Sequence, residues 1–448
     1  MKHFIERPRF TCALGGAIAT VTALPRAVHI LHAPPGCAGN TAWTQMGGCG
    51  LQVGGYCGGI SIPGTNVQER EVVFGGSDRL QEQIQNTLKV MDADLYVVLT
   101  SCVTEIIGDD VDSVIAPFQN DETKIISAET GGFKGNSYLG YEIVLESILR
   151  NYVTRGETTV KGRVNLWGIA PSFDVFWRGN LEGLRQLLSR LGLEVNTFFT
   201  VDDHLDGIRQ ASSAQINIVV SDVFGWQAAK ISQEVHGIPY VVSPLPIGPS
   251  ASDLFLRRVG EALGLSAELI EEVITTENQR YYKLLEPLTD CYNDMDLQRY
   301  AAVVGDSNYA TAITAFLEND FGWLPQVIVI TDTLMEEQQE RIVNRLSSLK
   351  SGRIPKIIFK GDSTDIAKSI KEHWEGSQTQ YGKYVNALSP AFVVGSSLDR
   401  PLAQELGAAH LSISFPVSNR AVIDRGYTGY QGGLRLIEDL ISAIIVNR

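Results

Sequence analysis

The chain has 448 residues, 44% hydrophobic and 20% charged, with a formal net charge of −14. That length exceeds one ordinary core of ~100–200 residues, so two or three domains are expected, and the composition is that of a folded globular protein. The acidic balance argues against a nucleic-acid binder, which needs a basic face, and no apolar run approaches the ~20 residues that span a bilayer.

The opening MKHFIERPRFTC lacks the apolar stretch of a secretory signal, so a cytoplasmic location is expected. The first 80 residues carry GGAIATVTALPRAVHILHAPPGCAGN and then the glycine-dense MGGCGLQVGGYCGGISIPGT. Glycine permits positive φ and close backbone approach, so the second run reads either as a flexible loop or as backbone wrapped around a bulky group. After residue 90, short β-branched runs alternate with amphipathic stretches. Strands are expected at LYVVLT (95–100), KIISA (124–128), RVNLWGIA (163–170), INIVVS (216–221) and IPYVVS (238–243). Four more are expected at AAVVGD (301–306), QVIVIT (326–331), PKIIFK (355–360) and AFVVGS (391–396). Near-continuous apolar runs of this kind are the pattern of parallel strands covered on both faces. Helical patterns such as NLEGLRQLLSRLGL (180–193) and DLFLRRVGEALGL (253–265) separate them. The expected fold is therefore α/β, with three doubly wound, Rossmann-like parallel-sheet domains. The polar connector TRGETTVKGR (154–163) and a long helical pattern over 266–298 set the boundaries at 1–158, 159–298 and 299–448.

Of six cysteines, Cys12, Cys37, Cys49, Cys57 and Cys102 fall in the first 102 residues, while Cys291 lies in a polar helical stretch and reads as inert. A large α/β chain without an export signal is a poor setting for disulfides. No pair has the tight spacing of a zinc knuckle. Thiolates from separated loops suit a larger inorganic cluster, because iron–sulfur clusters are held by cysteine thiolates; the competing reading is a set of small buried hydrophobes. Cys102 ends an apolar run and is followed by Glu105, Asp109 and Asp110. These acids read as first-turn carboxylates at the positive end of a helix, or as supports for a turn that aims Cys102 inward. Neither reading makes them catalytic.

The segments RFTC, HAPPGC and TSCVTEIIGDD, in that order, resemble three cysteine segments of the nitrogenase component 1 superfamily. Three later segments resemble the same family: ETGGFKGNSYLGYEIVLESIL (129–149), IPYVVSPLPIGPSASDLFLRRV (238–259) and SISFPVSNRAVIDRGYTGYQGGLRLIEDL (412–440). The likeness thus runs in order along nearly the whole chain. It implies a complex of α-type and β-type chains, usually α2β2, with an iron–sulfur cluster at the α/β interface. In nitrogenases this is the eight-iron P-cluster, held by cysteines of both chains. A homodimeric, ATP-hydrolysing iron protein docks there and delivers electrons. An iron-based metallocofactor lies in the α-type chain. Cys12, Cys37 and Cys102 fall on the three β-side cluster positions. Nitrogenase β chains carry a serine in FVGS that also binds the oxidised P-cluster. Here the segment reads FKGN, putting Asn136 at that position with Ser137 beside it.

The α-type cofactor cysteine has no counterpart in INIVVSDVFGWQAAKISQEVHGIPY (216–240), and RGYTGYQGG lacks the α-type histidine. His236 and His410, the nearest, read as solvent-facing or satisfied in the core. A β-type subunit of an oxidoreductase is implied, with no catalytic residue of its own, although NVQEREVVFGG (66–76) resembles an α-type segment. The short lead before Cys12 resembles that of the shorter alternative nitrogenases, whereas the glycine-rich insert and the missing serine depart from dinitrogen-reducing β chains and favour a nitrogenase-like enzyme such as a methylthio-alkane reductase over a true nitrogenase. Competing readings are a cofactor-maturation scaffold holding a four-iron cluster and a tetrapyrrole reductase subunit. Cys49 and Cys57 are additional to the β pattern, and structural thiols are the favoured reading for them.

Overall fold

The structure is a computed structural model describing residues 5–40, 62–120, 123–154, 156, 158–376 and 388–446. Cys49, Cys57 and most of the glycine-dense run lie outside these residues. Among the described residues, twelve strands form three sheets, every neighbouring pair parallel. The first contains β1 (Ala27–His32), β2 (Leu95–Thr100) and β3 (Ile125–Ala128), in the order β1-β2-β3. The second contains β4 (Arg163–Trp167), β5 (Glu194–Asn196), β6 (Ile216–Val219) and β7 (Tyr240–Val242), ordered β5-β4-β6-β7. The third contains β8 (Tyr300–Gly305), β9 (Leu324–Ile330), β10 (Lys356–Phe359), β11 (Ala391–Gly395) and β12 (Ala409–Ser412), ordered β10-β9-β8-β11-β12. The chain winds both ways from β4 and from β8, which is the doubly wound arrangement. Among the described residues the first sheet winds one way only.

Local departures from the sequence pattern have identifiable causes. β4 stops at Trp167 because Gly168 turns the backbone at φ +106°. The helical pattern over 266–298 divides into Ala267–Leu285 and Leu288–Asp294 around Pro287, which has no N–H to continue the first helix. Helix Ala13–Ala23 was not expected from its glycines and β-branched residues. It forms because nearly every side chain is buried, so tertiary packing outweighs propensity. It packs on helix Ser137–Asn151 at a separation only glycine allows: a Cβ on Gly16 would lie 1.8 Å from the Ser137 carbonyl oxygen, and one on Gly140 would lie 2.0 Å from that of Ala13.

One apolar core passes through all three units. Both chain ends also cross between them. Helix Gly429–Val446 returns to pack on helices Trp177–Ser189 and Gly248–Leu263 of the middle unit, with Gly429 N–H donating to the Pro246 carbonyl at 2.8 Å. The entry segment docks on the third unit: the backbone N–H of Glu6 donates to Asp362 at 2.7 Å, and the guanidinium of Arg9 is buried against Asp399.

Candidate functional site

The C-terminal ends of the first sheet's strands and the entry segment meet at one place, the position where open α/β sheets hold ligands. Cys12 is the extended residue before helix Ala13–Ala23, and its backbone pairs antiparallel with Asn136. The Ala13 N–H donates to the Gly135 carbonyl at 2.9 Å, which anchors this segment to the turn beyond β3. Cys37 sits in the tight turn Pro35–Ala38 beyond β1. Cys102 opens the short helix Cys102–Ile106 beyond β2. That turn is held by reciprocal capping bonds between Ser101 and Thr104, and the Thr104 hydroxyl donates to the His32 carbonyl at 2.9 Å. The exits of β1 and β2 are thereby locked together.

Gly132, in the turn Gly132–Lys134 after β3, lies between two of the thiols. A Cβ built there would stand 3.2 Å from Cys102 Sγ and 3.2 Å from Cys12 Sγ. Cys37 is close enough to feel both: burial pushes its thiol pKa up, and the Cys12 and Cys102 charges push it further. The Asn40 side-chain amide donates to the Cys37 carbonyl at 3.1 Å and lies 3.9 Å from Cys12 Sγ. All three thiols are half-buried and free. Among the described residues no group of three or more His, Cys, Asp or Glu is arranged to hold a metal ion.

The three carboxylates after Cys102 do three different jobs. Glu105 accepts from the Thr100 hydroxyl and the Gly131 N–H, each at 2.6 Å, and pairs with Lys134 at 3.0 Å. It ties the Cys102 turn to the glycine turn that borders the thiols. Asp110 caps helix Val111–Ile115 by accepting from Ser113 N–H. Asp109 is neither a first-turn acid nor a cap. It accepts from His32 Nε2 at 2.8 Å and from Gly76 N–H at 2.8 Å, while His32 Nδ1 lies 3.2 Å from the Thr65 hydroxyl. This buried contact pins the exit of β1, and nothing in the spacing of the IIGDD motif indicates it. On the two turns that Glu105 joins, Ile106 and Phe133 are 75% and 60% exposed.

The nitrogenase component 1 type oxidoreductase model matches residues 12–445. The chain belongs to this family. Among its relatives is the iron-molybdenum cofactor biosynthesis protein NifE of Rippkaea orientalis, 27% identical over 366 residues, covering 81% of this chain and 73% of that protein. Another is the nitrogenase molybdenum-iron protein beta chain of Sinorhizobium fredii, 24% identical over 466 residues and covering 98% and 84%. A solved structure described as "Nitrogenase Cp1 at pH 6.5" superposes with a TM-score of 0.80 at 18% identity, covering 99% of this chain and 94% of that one. The α/β fold is therefore that of nitrogenase component 1, and the family match begins at Cys12 itself.

Of the other residues singled out in the sequence, Asn136 adjoins Cys12 through its backbone but uses its side chain elsewhere. Asn136 caps helix Ser137–Asn151, its side-chain oxygen accepting from the Tyr138 and Leu139 N–H groups at 3.2 and 3.4 Å. The Ser137 hydroxyl is buried without a hydrogen-bond partner. Both ring nitrogens of His410 are engaged, by the Val393 carbonyl and the Ser412 hydroxyl, and His236 Nε2 lies 2.7 Å from the Leu149 carbonyl. Cys291 is exposed on helix Leu288–Asp294. Cys291→Ser is expected to leave stability and metal content unchanged within about 0.5 kcal/mol, the usual range for surface positions. A large fall in iron content in this variant would reveal a role that its position does not suggest.

Proposed function

We propose that the chain is the β-type subunit of a nitrogenase-like, two-chain metalloreductase, and that Cys12, Cys37 and Cys102 supply its half of an interface iron–sulfur cluster. The observation that carries this reading is the convergence of three thiols, distant in sequence, around a glycine whose missing side chain leaves room between two of them. Three thiolates at close quarters repel one another, and bound iron removes that cost by taking up their charge. Three thiolates from separated turns suit a polynuclear cluster better than a zinc-like centre, whose ligands come in tightly spaced pairs.

The residues have separable tasks in this reading. The three thiolates hold iron. The Asn40 amide directs an N–H towards Cys12 Sγ, a contact that lowers electron density on sulfur and favours the reduced form. Glu105 and the Ser101–Thr104 caps keep the Cys102 turn in place. Such a cluster, when bound, takes up and releases single electrons. The exposed Ile106 and Phe133 beside it support burial of this edge against an α-type chain. A separate ATP-dependent iron protein would supply the electrons, and the substrate would react on a metallocofactor of the partner chain. Asn136 is spent on its helix cap, so serine-type redox ligation at that position forms no part of the reading.

The likeness to NifE favours a second reading, a cofactor-maturation scaffold subunit with a four-iron interface cluster. The narrower expectation of a methylthio-alkane reductase draws nothing from the relatives named above. Iron and acid-labile sulfide per αβ pair, measured on anaerobically purified complex, separate the readings. Eight interface irons are expected for the electron relay, and four would favour the scaffold. No iron beyond the partner's own cofactor would overturn both.

A further inference from the structure

Two buried acids in the third unit stand without a cation. Asp306 follows β8 and caps helix Ser307–Asn319, its Oδ1 accepting from the N–H groups of Asn308 and Tyr309 at 2.9 and 3.0 Å. Asp332 lies just beyond the neighbouring β9, and its Oδ2 accepts from the Ser307 N–H at 2.8 Å. The strand register pairs Gly305 with Ile330, so both acids leave the sheet at adjacent points. Each is only 4% exposed. Among the described residues, each also keeps one buried oxygen without a hydrogen-bond partner, Asp306 Oδ2 and Asp332 Oδ1, with the Ser307 hydroxyl the nearby polar group at Asp332. Among the described residues neither is within ion-pair distance of a lysine or arginine.

A buried, unpaired carboxylate oxygen is costly, and two ionised carboxylates in one dry site also repel. A single proton removes both penalties, because it supplies a donor where two acceptors have none. Burial raises both acids above the ordinary carboxylate range, and the Asp306 charge raises Asp332 further. We propose that Asp306 and Asp332 share one proton at neutral pH, forming a proton-binding tie at the junction of the three units. The titratable groups facing the pair come from all three units. Tyr138 approaches from helix Ser137–Asn151, Asp174 from the loop before helix Trp177–Ser189, and Tyr309 from the pair's own helix. The Tyr309 hydroxyl donates to Asp174 at 2.9 Å. Asp332 borders a cleft of 440 Å³ shared with Tyr138, Phe224, Trp226 and Arg341, and this cleft gives the pair a path for proton exchange. The neighbouring joint between the first and second units has the same character: Glu142 accepts from the N–H groups of Gly225 and Ala228 and is pushed up by burial to about 7.

The sign of the effect follows from linkage. Folding raises the pair's affinity for a proton, so its contribution is full below the unfolded aspartate value of about 3.9 and is lost as pH rises through the raised folded value. Asp332→Asn places a permanent donor where the shared proton sits. The thermal midpoint of the full chain, followed against pH, is expected to fall from mild acid into the alkaline range in the wild type and to flatten in Asp332→Asn. The variant should become the more stable protein on the alkaline side. Asp306→Asn is the second arm, and parallel curves for all three proteins would overturn the proposal. Infrared spectroscopy at neutral pH gives an independent test on folded protein. A deuterium-sensitive C=O band of a protonated carboxyl should be present in the wild type and lost in Asp332→Asn, and identical spectra would also overturn it. Neither measurement depends on iron, so failure here and failure of the cluster reading are distinguishable.

Discussion

Cys102→Ala is expected to abolish the interface cluster while leaving a folded, soluble chain, and Cys37→Ala is expected to do the same. The fold survives because neither turn relies on its sulfur. The Cys102 turn is held by Ser101, Thr104 and Glu105, and the Cys37 turn by its own backbone bond from Cys37 N–H to the Pro34 carbonyl. Removing one half-buried sulfur costs the chain about 1 kcal/mol or less. The proposed cluster, in contrast, would lose one of three anchors on this side. Gly132→Val is the sharper variant: it keeps every cysteine but fills the space between Cys12 and Cys102. Iron content and the electron paramagnetic resonance signal of the complex are the readouts. A full cluster signal in both alanine variants would remove the ligand assignment.

The exit of β2 was legible because LYVVLT is apolar up to Thr100 and all six residues are buried. β1 was not, because His29 and His32 interrupt its apolar pattern; both are buried, and His32 is paired with Asp109. Cys12, Cys37 and Cys102 lie on the same edge, since each follows a strand or opens a helix there. Gly132 was not legible as the residue between them. Its motif, ETGGFKG, reads as a turn, and only the approach of two sulfurs gives one of its glycines a purpose. Asp109 was misread for a related reason: its partner is 77 positions away, and local spacing says nothing about such a contact. The position of Pro287 could have divided the 266–298 helix in advance, but the amphipathic pattern on either side masked it. The most distant contact of consequence was wholly hidden. Arg9 lies among charges near the chain's beginning, with nothing local to mark it as buried, yet it is buried.

Asp399→Ala is therefore expected to destabilise the protein by about 3–5 kcal/mol, the usual cost of stranding one member of a buried ion pair. Arg9 and Asp399 are each 2% exposed and bonded side by side, Nη1 to Oδ2 at 2.7 Å and Nη2 to Oδ1 at 2.6 Å. Asp399 also accepts from the Ser396 N–H at 2.8 Å and hydroxyl at 3.0 Å. Burial by itself would raise the Asp399 pKa, but Arg9 and the Ser396 bonds outweigh it and hold the carboxyl below its usual range. The pair's contribution is then present above the unfolded value of about 3.9 and is lost only as pH falls through the lower folded value. A hydrophobic replacement of both partners, Arg9→Met with Asp399→Leu, should recover much of the loss, because a buried pair replaced by apolar groups is often near neutral. The consequence reaches the candidate site through the backbone. Arg9 is three residues before Cys12, so its pairing with Asp399 is expected to help position the first thiol alongside the Ala13–Gly135 bond. Alkylation of Cys12 in iron-free protein should accelerate in Asp399→Ala, while that of Cys102, held by its own turn, should change little. Wild-type stability and an unchanged Cys12 rate would mean that the entry segment is positioned by the packing of helix Ala13–Ala23 alone.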